Sequence, residues 1–295
     1  MNALRALLED LVDYAGLFPP AALGMERAVE AYAAHRRSPE AWMLGRFVVP
    51  ASRLDELARA AAPHLPEGEG APAWKIAALV GEVPGDDVAR IRAFNSRHVG
   101  RAAIDVAELK AETVEAIERS LALLPEGLLA YVEVPIVEDL PPLLRTIAAR
   151  GARAKIRTGG LTAEAFPEPA ALARFLVACR EAGCAFKATA GLHHPIRAKH
   201  PFSYAADSPC GVMHGFLNLL AAAALARGGA TAEELEAVLR EERPGAFVFD
   251  EDGFAWRSRR IMTPTLAETR SSFVLGFGSC SFSEPVADLR SLGYL

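Results

Sequence analysis

Apolar runs of strand length recur along the chain, with amphipathic segments between them. The runs Arg46-Phe-Val-Val-Pro50, Lys75-Ile-Ala-Ala-Leu-Val80, Ala102-Ala-Ile-Asp-Val106, Leu129-Ala-Tyr-Val-Glu-Val134, Ala152-Arg-Ala-Lys-Ile-Arg157 and Cys184-Ala-Phe-Lys-Ala-Thr189 follow one another at intervals of about 25 to 32 residues. Segments 52–65, 86–94, 111–124 and 169–182 place apolar residues three and four apart, the period of a helix with one buried face. Strands alternating with helices require a largely parallel sheet covered by helices, and right-handed crossovers leave either a doubly wound sheet or a closed barrel. The expected fold class is α/β, a (β/α)8 TIM barrel. Two further strands are needed to close it. Ala246-Phe-Val-Phe-Asp250 and Ser272-Phe-Val-Leu-Gly276 are the candidates, with the segment around Gly16-Leu-Phe18 as an N-terminal alternative.

The regular spacing breaks after Gly191. Residues 193–209 read as a loop, 211–227 as a helix closed by Gly228-Gly229, 232–241 as a second helix, and 247–256 as a hairpin turning at Glu251-Asp-Gly253. The expectation is one barrel domain over residues 1–295 with a hairpin and helical elaboration at about 192–270. Segment 13–20 carries Gly and Pro ahead of a helix over 25–36; its expected role is packing at the barrel or its mouth. The aromatics of the 247–256 hairpin suit a lid or an oligomer contact equally, so a homo-oligomer stays open.

Within this frame one pattern occurs twice: Gly151-x-x-x-Lys155-x-x-x-Gly159 and Gly183-x-x-x-Lys187-x-x-x-Gly191. The lysines are one strand and one helix apart. Equivalent points on neighbouring parallel strands lie about 4.8 Å apart, so both amines are expected in one pocket. A lysine pressed against a second cation loses its proton more readily, and a neutral amine attacks carbonyl carbon to form a Schiff base. Lowering a lysine from about 10.4 to about 7 takes about 4.6 kcal/mol of differential interaction.

Composition narrows the partners. With 295 residues, 51% hydrophobic and 23% charged, the chain can bury a large core. A formal net charge of -5 and no dense Lys/Arg stretch disfavour nucleic acid. The longest apolar run, 215–226, is about half of what a bilayer crossing needs. The first residues lack a signal-peptide core, and the four cysteines lack C-x-x-C spacing. These features suggest a cytoplasmic protein with reduced thiols and no membrane partner.

In α/β barrels the working groups stand at the carboxyl ends of the strands, here Asp105, Glu133, Lys155, Arg157, Lys187 and Thr189. The ordered set Ile104-Asp105-Val106, Val132-Glu133, Lys155-Ile-Arg-Thr158-Gly159 and Phe186-Lys187-Ala-Thr-Ala-Gly191 resembles the deoxyribose-phosphate aldolase group of class I aldolases, which are TIM barrels. The resemblance implies Lys155 as the Schiff-base residue, Lys187 as its electrostatic activator and Asp105 as a proton relay, with Glu133 beside them. The Gly278, Ser279 and Ser281 loop ahead of a helix is similar to the group's phosphate loop. The resemblance covers about 105–191 and this final loop. Arg157 stands where the group has a small hydroxyl residue, Leu192-His-His-Pro195 replaces a short turn, and 231–270 has no evident counterpart.

The expected function is therefore a lyase of the class I aldolase type acting on a small carbonyl compound, phosphorylated or not, a chemistry that requires no cofactor. Arg157, Thr189, His193, His194, Gly278, Ser279 and Ser281 are the candidate substrate-binding residues. Metal ligation by His193 and His194 is disfavoured by their spacing and by the neighbouring lysines; a loop histidine as general acid or base fits better. Two alternatives stand beside this. Lys155, Arg157 and Lys187 would form an anion clamp in an isomerase or metal-assisted enzyme, or the barrel would bind a small ligand without catalysis.

Overall fold

The computed structural model describes residues 2–67, 70–81, 84–137 and 139–295. Eight parallel strands close into a barrel: β1 (Val12–Tyr14), β2 (Leu44–Pro50), β3 (Trp74–Leu79), β4 (Ala102–Lys110), β5 (Leu129–Glu133), β6 (Arg153–Arg157), β7 (Phe186–Thr189) and, after the five short strands given below, β13 (Val274–Ser279). β1 to β7 run in sequence order around the barrel, and β13 closes it between β7 and β1. The helix α1 (Ala3–Leu8) precedes β1, and α2 (Met25–His35), α3 (Leu54–Ala61), α4 (Pro84–Arg97), α5 (Val114–Ala122), α6 (Leu140–Ala149) and α7 (Pro169–Ala182) connect the first seven strands in turn.

Most of the apolar core lies between this barrel and its helices. Alternation sends Val132, Ile156, Phe186 and Ala188 outward to that core. A separate small cluster of Val48, Ala77, Val106 and Tyr131 fills the barrel interior.

The six strands expected between residues 46 and 189 all form, each shifted by no more than a few residues except β4, which runs on to Lys110. The closing pair differs in part. Val274–Ser279 is a barrel strand, whereas Phe247–Phe249 (β10) joins β11 (Gly253–Trp256) and β12 (Arg259–Met262) in a separate antiparallel sheet. The missing barrel strand is β1, just before the Gly16-Leu-Phe18 alternative. The expected hairpin turn is present, with Asp250 Oδ1 accepting from the backbone N–H of Asp252 and Gly253 at 3.0 and 2.9 Å.

The expected helix over 211–227 is shorter. Cys210–Met213 (β9) pairs with β8 (Ala198–Pro201) in an antiparallel ribbon, and α8 runs Phe216–Arg227. α9 (Ala232–Leu239) begins with a full capping box between Thr231 and Glu234. α10 (Thr263–Ser272) leads into β13, and α11 (Ser283–Ser291) follows it. Among the described residues no helix is long and apolar enough to cross a membrane.

Candidate functional site

The repeated glycine–lysine pattern has a separate structural reason at each position. Gly151 and Gly183 follow α6 and α7 with φ of +68° and +61°, the left-handed conformation that ends a helix and that side chains disfavour. Four residues on, Lys155 and Lys187 are direct partners across the β6–β7 ladder. Four more residues on, the chains nearly touch: a Cβ on Gly159 would lie 2.7 Å from the Gly191 Cα. The repeat therefore fixes both lysines at one level of the barrel, as their spacing requires.

The amines do not meet as bare cations. Glu108 stands between them, with Oε2 2.8 Å from Lys155 Nζ and Oε1 2.7 Å from Lys187 Nζ. Lys187 also donates to Asp13, and Lys155 Nζ lies 2.9 Å from Glu133 Oε2. Arg157 Nε reaches Glu133 Oε1 at 3.5 Å from the exposed end of β6. Lys155 and Lys187 are only 5% and 1% exposed, so their charges depend on these partners rather than on water.

Lys187 sits between two carboxylates. Burial works against its charge, but Asp13 and Glu108 outweigh it and carry Lys187 above its ordinary value. Burial likewise presses Glu108 upward, yet the two ammonium groups hold it at about 2. Glu133 lies below the usual carboxylate range: burial opposes its charge, and Lys155 with Arg157 more than compensates. In this arrangement Lys187 is a held cation that fixes Glu108.

Asp105 does not join the cluster. Its two oxygens accept from Arg46 Nε and Nη2 at 2.8 and 2.6 Å, in the amino-terminal half of β4. The ladder shows why. Ile104 pairs with Ile76, but Val106 pairs with Ala77, so Asp105 is the extra residue of a bulge. The bulge changes the parity of the strand: Ile104 faces the outer core, Val106 the barrel interior, and Glu108 follows Val106 inward.

Reading the strand as ending at Val106 hid Glu108. Its signal was the continuing alternation through Ala107-Glu108-Leu109, where both flanking residues are buried in the outer core. Asp13 was missed because its strand has three residues.

The cluster floors a cavity of about 430 Å³ at the carboxyl-terminal mouth of the barrel. Glu108, Glu133, Lys155, Arg157, Lys187, Thr189 and His193 give it polar surface, while Phe18, Pro19, Pro20, Val48, Leu79 and Leu161 make apolar wall. The 13–20 segment thus supplies both a barrel strand and part of the mouth. Gly278 and Cys280 also line the cavity; a Cβ on Gly278 would come 3.2 Å from Thr189 Oγ1.

Other predicted residues stand apart from that lining. Ser279 is buried and its hydroxyl accepts from Ser281 N at 3.3 Å, while Ser281 Oγ, just ahead of α11, accepts from Glu284 N in its first turn at 3.2 Å. His194 stacks on His200 with ring centroids 3.4 Å apart, and its Nδ1 lies 2.6 Å from Asp288 Oδ2. It borders a smaller neighbouring cavity, as does His193. Among the described residues no group of three or more His, Cys, Asp or Glu side chains is arranged to hold a metal ion.

The fold and cluster define a closed parallel α/β barrel with a buried ionic network opening onto a cavity at the strand ends. Comparison with protein-family models, characterised proteins and solved structures gives no match for this chain.

Proposed function

We propose that the chain is an enzyme of the class I aldolase type, in which the Lys155 amine forms a Schiff base with a small carbonyl compound, phosphorylated or not. One observation carries this reading: Lys155 is almost wholly buried, lines the cavity, and touches two carboxylates, one of which it shares with a second lysine. A fold gains little from burying four charged groups, Asp13, Glu108, Lys155 and Lys187, when apolar packing is available, so such a network at the strand ends points to chemistry.

The proton inventory suits the reaction. Lys155 must lose a proton before it attacks, and Glu133, the more exposed of its two carboxylate partners, is placed to receive it. The neutral amine adds to the carbonyl carbon, the oxygen takes one proton from that nitrogen and the one held by Glu133, and water departs to leave an iminium with one N–H. The iminium then withdraws electrons from the neighbouring carbon–carbon or carbon–hydrogen bond. Lys187, held by Asp13 and Glu108, keeps Glu108 ionised and in place throughout.

The charge balance supports this reading over an anion clamp. Lys155, Lys187 and Arg157 face Asp13, Glu108 and Glu133, three cations against three carboxylates.

The test is borohydride reduction in the presence of a panel of small aldehydes and ketones, followed by intact mass measurement and peptide mapping. The chain has five lysines, Lys75, Lys110, Lys155, Lys187 and Lys199, so the position of an adduct is readily assigned. A single adduct on Lys155 is expected. No adduct with any compound, or adducts only on exposed Lys75 and Lys110, refutes the reading.

A further inference from the structure

Carbon–carbon or carbon–hydrogen cleavage beside an iminium needs a base that can reach the substrate, and Glu108 and Glu133 are already engaged by Lys155. We infer that His193, positioned by Glu284 and Tyr204, is that base. The inference rests on the Schiff-base reading above and assigns the proton-transfer step within the same cavity.

His193 follows the left-handed turn at Ala190 and Gly191, whose φ values are +62° and +74°. The turn brings a 6% exposed imidazole into the wall of the large cavity. Its Nδ1 lies 3.1 Å from Glu284 Oε2, and the same oxygen accepts from the Tyr204 hydroxyl at 2.7 Å. An ionised carboxylate only accepts, so Nδ1 carries the hydrogen and Nε2 of the neutral ring carries the free lone pair.

The two nitrogens of an imidazole project in divergent directions. With Nδ1 turned to Glu284, Nε2 makes no hydrogen bond to the described residues, and it is not among their sealed, unpartnered polar atoms. It is therefore accessible, and His193 lines both the cavity of Lys155 and the smaller one that holds Glu284 and Tyr204, so the nitrogen turned away from Glu284 is the one available to the Lys155 side. A carboxylate that fixes the tautomer of a histidine whose other nitrogen faces a cavity is the arrangement of a general base.

The step balances without another reactant. The Nε2 lone pair takes a proton from the carbon next to the iminium carbon. The released C–H electrons form the enamine double bond, and the C=N π electrons move onto the Lys155 nitrogen. Reversal returns the proton. Glu284 and Tyr204 are positioning residues, since they reach the substrate only through the ring.

The charged and titratable surroundings of His193 are Glu284 and, through His194, Asp288 on α11; Tyr204 after β8; His194 with its stacked partner His200; and Cys280 before α11. Glu284 stays ionised here: burial opposes its charge, but hydrogen bonds from His193 and Tyr204 hold it below the ordinary carboxylate range.

The experiment follows hydrogen–deuterium exchange at the carbons beside the carbonyl of hydroxyacetone in deuterium oxide, with borohydride trapping of the same ketone in parallel. His193→Gln is expected to keep the Lys155 adduct and lose about 100-fold or more in exchange, the usual span for a positioned base. The rising limb of the exchange pH profile should vanish in H193Q and move in E284Q. Exchange within about twofold of the unsubstituted protein, or parallel losses of adduct and exchange, overturns the inference. If no adduct forms at all, the Schiff-base reading fails instead, and the nitrogen-15 shifts of the His193 ring decide the dyad alone. A protonated Nδ1 and bare Nε2 at neutral pH, altered in E284Q, support it; a protonated Nε2 refutes it.

Discussion

At the amino-terminal end of the barrel interior, Arg46 and Asp105 satisfy each other in a two-pronged pair that leaves little bonding capacity over. At the carboxyl-terminal end, Glu108 is divided between two lysines, each lysine is divided between two carboxylates, and the chain of contacts ends at a cavity. The lower pair is half-exposed and its side chains close on each other, with only the Arg46 backbone N–H reaching on to Asp13 at 2.7 Å. The upper network is buried but opens onto space where a reactant fits. Ionic groups inside a barrel are therefore not equivalent: a matched pair reads as structure, and a shared, cavity-facing network reads as a site.

The sharpest way to break this comparison is Lys187→Met. The substitution leaves Asp13 and Glu108 buried with one cation fewer, and losing one partner of a buried ionic group costs about 3 to 5 kcal/mol. Denaturant unfolding should show a loss of that order. A loss below about 1 kcal/mol would mean that the upper network is as weakly coupled to the fold as a surface pair.

Acid titration of stability comes next. Glu108 lies near 2 in the folded chain against an ordinary 4.5. A depressed carboxylate stabilises fully above its unfolded value, and that contribution, here a few kcal/mol, disappears as pH falls from 4.5 through about 2. Glu108→Gln should flatten the stability–pH curve in this window. An unchanged slope would show that Glu108 does not carry the upper network.

The two ends also differ in how legible they were in the sequence. The lysine pair could be read because spacing between equivalent strands is conserved by the βα unit itself: Gly151 and Gly183 end helices, Gly159 and Gly191 pack together, and the lysines between them fall into register. Of their three carboxylate partners Glu133 was legible on its strand end, while Glu108 and Asp13 were hidden by two local features. The bulge at Asp105 turns Glu108 inward while making Asp105 look like the residue at the strand end. Asp13 lies on a three-residue strand whose existence depends on β13 and β2, far away in sequence.

The same limit explains the barrel count. The apolar alternation of Phe247-Val-Phe249 correctly signalled a strand, but period-two patterning does not say which sheet a strand joins, and here a third strand at Arg259–Met262 completes a separate sheet. Likewise, Ser279 and Ser281 read as a loop open to a ligand until their hydroxyls are seen serving the backbone of that loop and of α11.

Arg46→Gln examines the lower pair, since the backbone N–H that Arg46 donates to Asp13 stays in place. It removes a charged two-pronged contact from groups whose side chains keep 24% and 41% of their exposure, so water recovers part of the loss. A decrease of about 1 to 2 kcal/mol in unfolding free energy is expected, with the borohydride adduct unaffected. An adduct lost along with stability would make the lower pair part of the site.

Arg157→Gln should move stability least and therefore discriminates most cleanly between the two roles. The side chain is 57% exposed and meets Glu133 only at 3.5 Å, a contact on the scale of a surface ion pair. The unfolding midpoint should change by no more than about 0.5 kcal/mol equivalent. Yet Arg157 lines the cavity, and the loss of its charge removes one of the three cations balancing Asp13, Glu108 and Glu133. Carbonyl compounds that carry an anionic group should then trap less efficiently, while neutral ones are unaffected, and added salt should narrow the difference for the unsubstituted protein. If Arg157→Gln instead destabilises as strongly as Arg46→Gln and treats both classes of compound alike, its charge belongs to the scaffold, and the upper network ends at Glu133 rather than at the cavity rim.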